Sequence, residues 1–562
     1  MLKRFYLPAV TLLVCTVAVA ESAMPTPSAE SMQQIRPDAI RAHMQFLSDD
    51  LMEGRETGTR GYFLAANYIR SQFQSIGLQP GGPNGSYFQQ VPLRRSRLVQ
   101  DQSSVTVIRN GKKTKLVWEQ NYAMRGNPLY EKTGIEAPVI FVGYGVSAPQ
   151  FNHDDYAGLD VKGKVVMVLY GAPESLPSSE RAHFSPTDQK ERMAAAHGAV
   201  GILSVWAGER EKRTPFKRFA SFVQAPRMQW LDAKGQPANV LSEIRGEAYL
   251  NSDTARKLFD GASQTFDEAL TAAVGGKSKS FALPFSVAIN TVSQFESLQS
   301  PNIAGILPGS DPRLKDEYVL YTAHADHLGI GEPKNGDAIY NGALDNASGT
   351  AALIEMAHAF ASMNPQPRRS VMFLAVTGEE EGLLGSEYFA HYPTVPIDNI
   401  VANINMDELP MVFDFKDVVP LGADHSSLGP MIDTIAKAEG LEVSPDPLPE
   451  ENFFVRSDQY SLVKEGVPAV AIEGGEKAAD PAKNGADIER AWIKNYYHSP
   501  QDDMSQPLDF NAAAKYTRLN FALGYAVANQ DARPTWNPGD FFGNAFAKHH
   551  ASGAAATTQT VQ

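Results

Sequence analysis

Thiols are almost absent from this sequence: its 562 residues include one cysteine, Cys15. That excludes a disulfide framework and a thiolate-held metal, so any bound cation must rely on nitrogen and oxygen donors. Basic charge is outweighed as well, with 50 Lys and Arg against 64 Asp and Glu and a formal net charge of −14. Phosphate backbones need concentrated Lys and Arg, so nucleic acid is not an expected partner. After the first residues no apolar run approaches the roughly 20 residues of a membrane span. What is present is a globular composition, 43% hydrophobic, in a chain longer than one core normally supports, so two or more units are expected.

The N-terminus reads as an export signal over residues 1–20. Lys3 and Arg4 precede an uncharged apolar run from Phe5 to Ala20, and Ala18-Val19-Ala20 gives the small-x-small pattern of a cleavage site. An N-terminal anchor and a lipoprotein signal at Cys15 are the alternatives; the bulky Val14 argues against the second. Cleavage after Ala20 removes Cys15 and leaves a periplasmic or extracellular protein without a membrane span.

Residues 21–31 have linker composition. Helical spacing runs from Pro37 to Leu51 and from Gly61 to Ile76, where Gly77 is placed as a C-cap. The stretch 131–283 differs in character: APVIFVGYG (137–145), KVVMVLYG (164–171) and VGILSVW (200–206) read as buried strands and 188–199 as a helix, and GEREKR (208–213) reads as a solvated loop. From about residue 300 strands and helices alternate. NIAGILPG (302–309), EYVLYTAH (317–324), SVMFLAVT (370–377), NIVANINMD (399–407) and VPAVAIEG (467–474) are the strands, and Ser348 to Phe360 is one of the helices. This alternation predicts an α/β fold with a mostly parallel mixed sheet flanked by helices. Residues 536–562 read as a C-terminal tail, of low complexity from 551 onward.

Potential ligands gather at the ends of the predicted strands. His324 and Asp326 follow one strand, Glu379 and Glu380 another, and Asp407 a third; Asp345 precedes the Ser348 helix, and His498 comes after the last strand. Sites in open α/β sheets form at the carboxyl ends of the strands, so these side chains are expected on one rim. Two His and three carboxylates suit two divalent cations if one carboxylate bridges. A further acid must take a proton from water and pass it to the leaving amine, and Glu379 stands beside a ligand and is free to do so.

The motifs TAHADHLG (322–329), NGALDNASG (341–349), TGEEEGLLGS (377–386), NINMDE (403–408) and YYHSPQDD (496–503) resemble those of the two-zinc aminopeptidases of peptidase family M28. LMEGRETGTRG (51–61) and GLQPGG (77–82) extend the likeness, which runs in chain order from residue 35 to about 530. The resemblance implies two zinc ions bridged by Asp345, one completed by His324 and Asp407 and the other by Glu380 and His498. It further implies Glu379 as general base, Asp326 orienting His324, a cis Asp345–Asn346 peptide, and peptides as substrates. The family pattern Glu-Glu-x-Gly-Leu sets the register of the acid run and puts Glu381 at x. Residues 131–283 resemble a protease-associated (PA) domain, smaller and β-rich, inserted between peptidase segments 32–130 and 284–535.

Other residues stay open at this stage. His327 is either a contact of the site or a structural residue, Asp458 is expected to fix a nearby loop, and one of Tyr496 and Tyr497 is a candidate donor to a substrate carbonyl. His549 and His550 read as solvent-exposed. A carboxypeptidase or dipeptidase of the same fold is the second reading, with Arg456 as the nearest cation for a terminal carboxylate. A non-catalytic receptor-like ectodomain and a one-zinc glutaminyl cyclase are disfavoured by the full ligand set.

Overall fold

Four apolar runs lie side by side and parallel at the centre of the molecule: Ser370–Val376, Tyr318–His324, Ile400–Asn405 and Ala469–Gly474, in that spatial order. Every residue of Ser370–Val376 and Ile400–Asn405 is buried, as required of parallel strands covered on both faces. Antiparallel strands extend the sheet: Asp417–Leu421 beyond Ala469–Gly474, and Phe281–Leu307, Phe88–Leu98 and Arg227–Trp230 beyond Ser370–Val376. The computed structural model describes residues 24–547. The expected signal segment with Cys15, the histidines 549 and 550, and the low-complexity tail lie outside them.

Helices cover both faces of this sheet. Pro37–Leu47, Arg60–Ile76, Gly349–Ala361 and Phe510–Asn529 share one large core with the strands, in which Ile40, Phe73, Phe360 and Phe521 are fully buried. On the opposite face Phe389 of Leu384–His391 and Leu462 of Gln459–Val463 pack against Leu320 and Leu374. The result is an α/β fold with a large mixed sheet, parallel through its centre and flanked by helices. No helix among the described residues is long and apolar enough to cross a membrane.

A second sheet is built from Ser104–Arg109, Lys132–Phe141, Val165–Leu169, Gly201–Trp206 and Gly246–Asn251, with its own buried cluster including Phe141, Met167, Val205 and Phe285. The two sheets share one strand. Phe281–Leu307 runs for 27 residues, pairing first with Lys132–Phe141 and Ser104–Arg109, then with Phe88–Leu98 and Ser370–Val376. The segment 302–309, read from the sequence as a separate strand, is the end of this ribbon, because nothing between Asn290 and Pro301 turns the chain.

Other boundaries also move. The first long helix stops at Leu47 rather than Leu51; Ser48 donates its hydroxyl to the Met44 carbonyl at 2.7 Å, and a 3₁₀ stretch Asp50–Arg55 follows. Gly54 is required there, since at φ 66° a Cβ would come within 2.4 Å of the Gly329 carbonyl oxygen. Arg60–Ile76 closes on Gly77 in the left-handed conformation, as its spacing predicts. Glu209–Arg213, expected as loop, forms a short helix with no buried residue. The start of the expected C-terminal tail is folded: Phe542 of the helix Phe541–Phe546 is fully buried against His425 and Phe454.

The helix Phe510–Asn529 touches the central strand through a glycine. Tyr321 donates its hydroxyl to the Asn520 carbonyl at 2.9 Å, and a Cβ on Gly524 would lie 1.7 Å from that hydroxyl oxygen. Alanine is the better helix former by about 1 kcal/mol, yet Gly524→Ala is expected to destabilise the fold by about 1–3 kcal/mol through overpacking. Chemical denaturation reads the sign, and Tyr321→Phe in the same chain should recover part of the loss.

Candidate metal centre

The order of the parallel strands decides what meets at their carboxyl ends. Tyr318–His324 lies between Ser370–Val376 and Ile400–Asn405, so His324 is flanked by Glu379 and Glu380 on one side and Asp407 on the other. Asp345 arrives from the irregular turn Ala343–Ser348 that leads into the helix Gly349–Ala361. The Asp345–Asn346 peptide in that turn is cis. Asn346 ties it to the Asp407 loop: its amide donates to the Met406 carbonyl at 3.0 Å, and its side-chain oxygen accepts from the Gly349 and Glu408 amides. His498 reaches the same point from the loop after the helix Gly485–Asn495, at φ 49°.

Asp345 turns one oxygen to each side. Its Oδ1 lies 3.2 Å from His324 Nε2, which is also 3.0 Å from Asp407 Oδ1. Its Oδ2 lies 3.1 Å from His498 Nε2, which is 3.3 Å from Glu380 Oε2. The donor atoms of His324, Asp345 and Asp407 all fall within 4.8 Å of one another, and so do those of His327, Asp345 and Glu380. The five residues expected as ligands therefore converge on one place, and His327, left open by the sequence, joins them.

Asp326 behaves differently from its expected role. His324 Nδ1 lies 3.1 Å from the main-chain oxygen of Asp326, while the carboxylate stands 3.9 Å away. That carboxylate instead accepts the main-chain N–H groups of Glu379 at 3.2 Å and Glu380 at 3.4 Å, along with the Thr57 hydroxyl. Asp326 thus holds the acid loop, and its carbonyl holds the imidazole.

Three supports escaped the sequence reading. Asp502 accepts the amides of Leu344 and Asp345 at 2.8 and 3.0 Å and so anchors the turn; burial pushes its carboxyl up to about 6. Ser457 donates to Asp407 Oδ2 at 2.7 Å. Arg55 is fully buried and donates to the carbonyls of Ala325, Leu47, Asn341 and Gly342. Asp502 and Arg55 lie inside motifs already singled out, so their neighbourhood was visible though their task was not. Ser457 had no signal beyond its position beside Asp458.

Charge in the site is unbalanced. Burial lifts the Glu379 carboxyl well above its usual range, and Asp407, Glu380 and Asp458 add to that lift, with His324 opposing. Burial likewise raises Asp326 and takes Asp458 to about 7. Burial works against a charged His324, but Asp407, Glu379 and Asp345 outweigh it and raise its pKa well above the ordinary value. An excess of buried carboxylates over imidazoles, with Glu380 Oε1 and both His327 nitrogens making no hydrogen bond among the described residues, is the chemistry that divalent cations satisfy. The nitrogen and oxygen donors suit zinc.

His324, Asp345, Glu379, Glu380, Asp407 and His498 line a cavity of about 1210 Å³ that also reaches Arg227 of the main sheet and Arg125, Tyr170 and Tyr249 in or beside the strands of the second sheet. Tyr497 lines it and stacks on the His498 ring at 3.9 Å between centroids, whereas Tyr496 packs against the main core. Asp458 is fully buried next to Ser457. Arg456 is on the cavity wall, near Glu451.

Comparison with known proteins places this geometry. Residues 302–523 match Peptidase family M28. Aminopeptidase NAALADL1 of Rattus norvegicus is 23% identical over 400 residues, 64% of this chain and 48% of that protein. A probable zinc metalloprotease of Pyrenophora tritici-repentis is 38% identical over 107 residues, 19% of this chain and 23% of its own length. The chain thus spans about half or less of these curated relatives. Among solved structures, an aminopeptidase from Aneurinibacillus sp. strain AM-1 superposes with a TM-score of 0.50 at 16% identity, covering 90% of this chain and 96% of that one, a likeness of fold. The two donor groups therefore lie within residues 302–523, the stretch that matches Peptidase family M28.

Proposed function

We propose that this protein is an exported metallopeptidase that removes N-terminal residues from peptides, with two zinc ions as cofactors. The observation that carries the reading is Asp345, whose two oxygens face two separate nitrogen–carboxylate groups in the wall of one cavity beside Glu379. Asp345 would be the shared ligand, with His324 and Asp407 holding one ion and Glu380 and His498 the other. When bound, such ions supply Lewis acidity to the substrate carbonyl and to water.

The remaining work falls to the chain. Glu379 has the raised proton affinity needed to take a proton from water and deliver it to the leaving amine. Asp326 fixes the main chain of Glu379 and Glu380, and Tyr497 fixes the His498 ring by stacking. Glu408 and Glu473, whose carboxyls burial pushes well above the usual range, line the same cavity and suit an α-ammonium group. The second sheet serves as a protease-associated-like cover that narrows access to the cavity. Export through cleavage after Ala20 completes the proposal.

A carboxypeptidase or dipeptidase is the second reading. It is favoured by Arg456 on the cavity wall, and a Caenorhabditis elegans glutamate carboxypeptidase 2 homolog is 27% identical over 225 residues.

Glu379→Gln should keep the zinc content of the wild type and lose about 10²–10⁴ in kcat, measured by metal analysis and steady-state kinetics on one preparation; a variant that turns over at wild-type rate defeats the assigned base. Aminoacyl-anilides should be cleaved and N-blocked dipeptides spared, with activity abolished by a chelator and restored by zinc. Cleavage of the blocked substrates alone makes the enzyme a carboxypeptidase instead.

A further inference from the structure

Resting on the two-ion reading, we infer that His327 is a sixth protein ligand, giving the Glu380 ion a second imidazole through Nδ1. The ring is fully buried, and neither nitrogen makes a hydrogen bond among the described residues. A buried imidazole without an aligned hydrogen bond is costly, because a polar group taken from water needs compensation. Its Nδ1 lies 2.6 Å from Glu380 Oε1 and 3.7 Å from Asp345 Oδ2. Glu380 Oε1 is also without a hydrogen bond. Two polar atoms this close but not aligned as donor and acceptor are aimed at a common third point.

The spacing fits that point being a cation. Ligand atoms about 2.1 Å from a tetrahedral zinc lie about 3.4 Å apart. The distances from His498 Nε2 to Asp345 and Glu380 are 3.1 and 3.3 Å, and His327 to Asp345 is 3.7 Å. The 2.6 Å contact is the one that must widen. The His327 and His498 rings stand edge to face, with centroids 5.8 Å apart, on either side of the two carboxylates.

The local chain is built to hold the ring there. The His327 amide donates to the Arg55 carbonyl at 3.2 Å, and the ring lies against Gly342, where a Cβ would come within 2.5 Å of its Cγ. The two ion positions are then unequal: His324 is the single imidazole of one, while His498, about a third exposed, and His327, fully enclosed, serve the other.

The test is the metal itself. The protein loaded with cobalt(II) should show three solvent-exchangeable, strongly shifted imidazole N–H proton signals, one each for His324, His327 and His498. His327→Ser and His327→Gln should each lose one signal and release one ion at a 10–100-fold lower chelator concentration, with metal-free melting unchanged as the folding control. Two signals in wild type with two ions bound, and the same two in the variants, overturn the assignment even if affinity falls, since His327 would then act only through Glu380. Fewer than two tightly bound ions in wild type sinks the two-ion reading instead.

Discussion

The guanidinium of Arg55 donates to four main-chain carbonyls contributed by three separate stretches of chain: the end of the first long helix, the loop after His324, and the turn before Asp345. A lysine could satisfy one or two of these acceptors, but not all four in a fixed plane. Burial lowers the Arg55 pKa to about 10, with Asp345, Asp502, Asp326 and Glu380 working to keep it charged. One buried cation thus fixes the loops in position and offsets part of the negative charge that those loops bring together. Through Asp502 and Asn346 the same scaffold extends to the Asp345 turn.

The rest of the site follows from strand order. Placing Tyr318–His324 between Ser370–Val376 and Ile400–Asn405 makes neighbours of residues more than 50 positions apart, and His324, Glu380 and Asp407 inherit their places from strand ends, while Asp345 and His498 come from a turn and a loop. The buried runs and the acidic or imidazole residue that follows each were legible because parallel strands leave that double imprint in a sequence. The five expected ligands were read that way and do meet.

What the sequence hid was what depends on side-chain direction and on long-range packing. Asp326 was expected to grip His324 with its carboxylate, but only the folded chain shows the carboxylate turned to the Glu379 and Glu380 amides. His327 has the same local neighbourhood whether it faces the core or the site, so spacing could not choose. The long strand was split at residue 302 because serine and proline at 300–301 look like a break, although the antiparallel partner Phe88–Leu98 carries the ladder through it on one edge. The helix Phe541–Phe546 was lost in a stretch of tail-like composition because its order comes from aromatic contacts with His425 and Phe454, remote in sequence.

The ribbon Phe281–Leu307 sets how the cavity can respond to what enters it. A cleft joined by a loop opens as a hinge, because a few dihedrals absorb the rotation. Here the two walls share one unbroken strand, whose pairing passes from Lys132–Phe141, ending at Val292, directly to Phe88–Leu98, starting at Ser293, and swinging one wall away would break or shear those hydrogen bonds. The chamber is therefore closer to a fixed gauge than to a jaw. Its width is a property of the folded chain, set before anything enters.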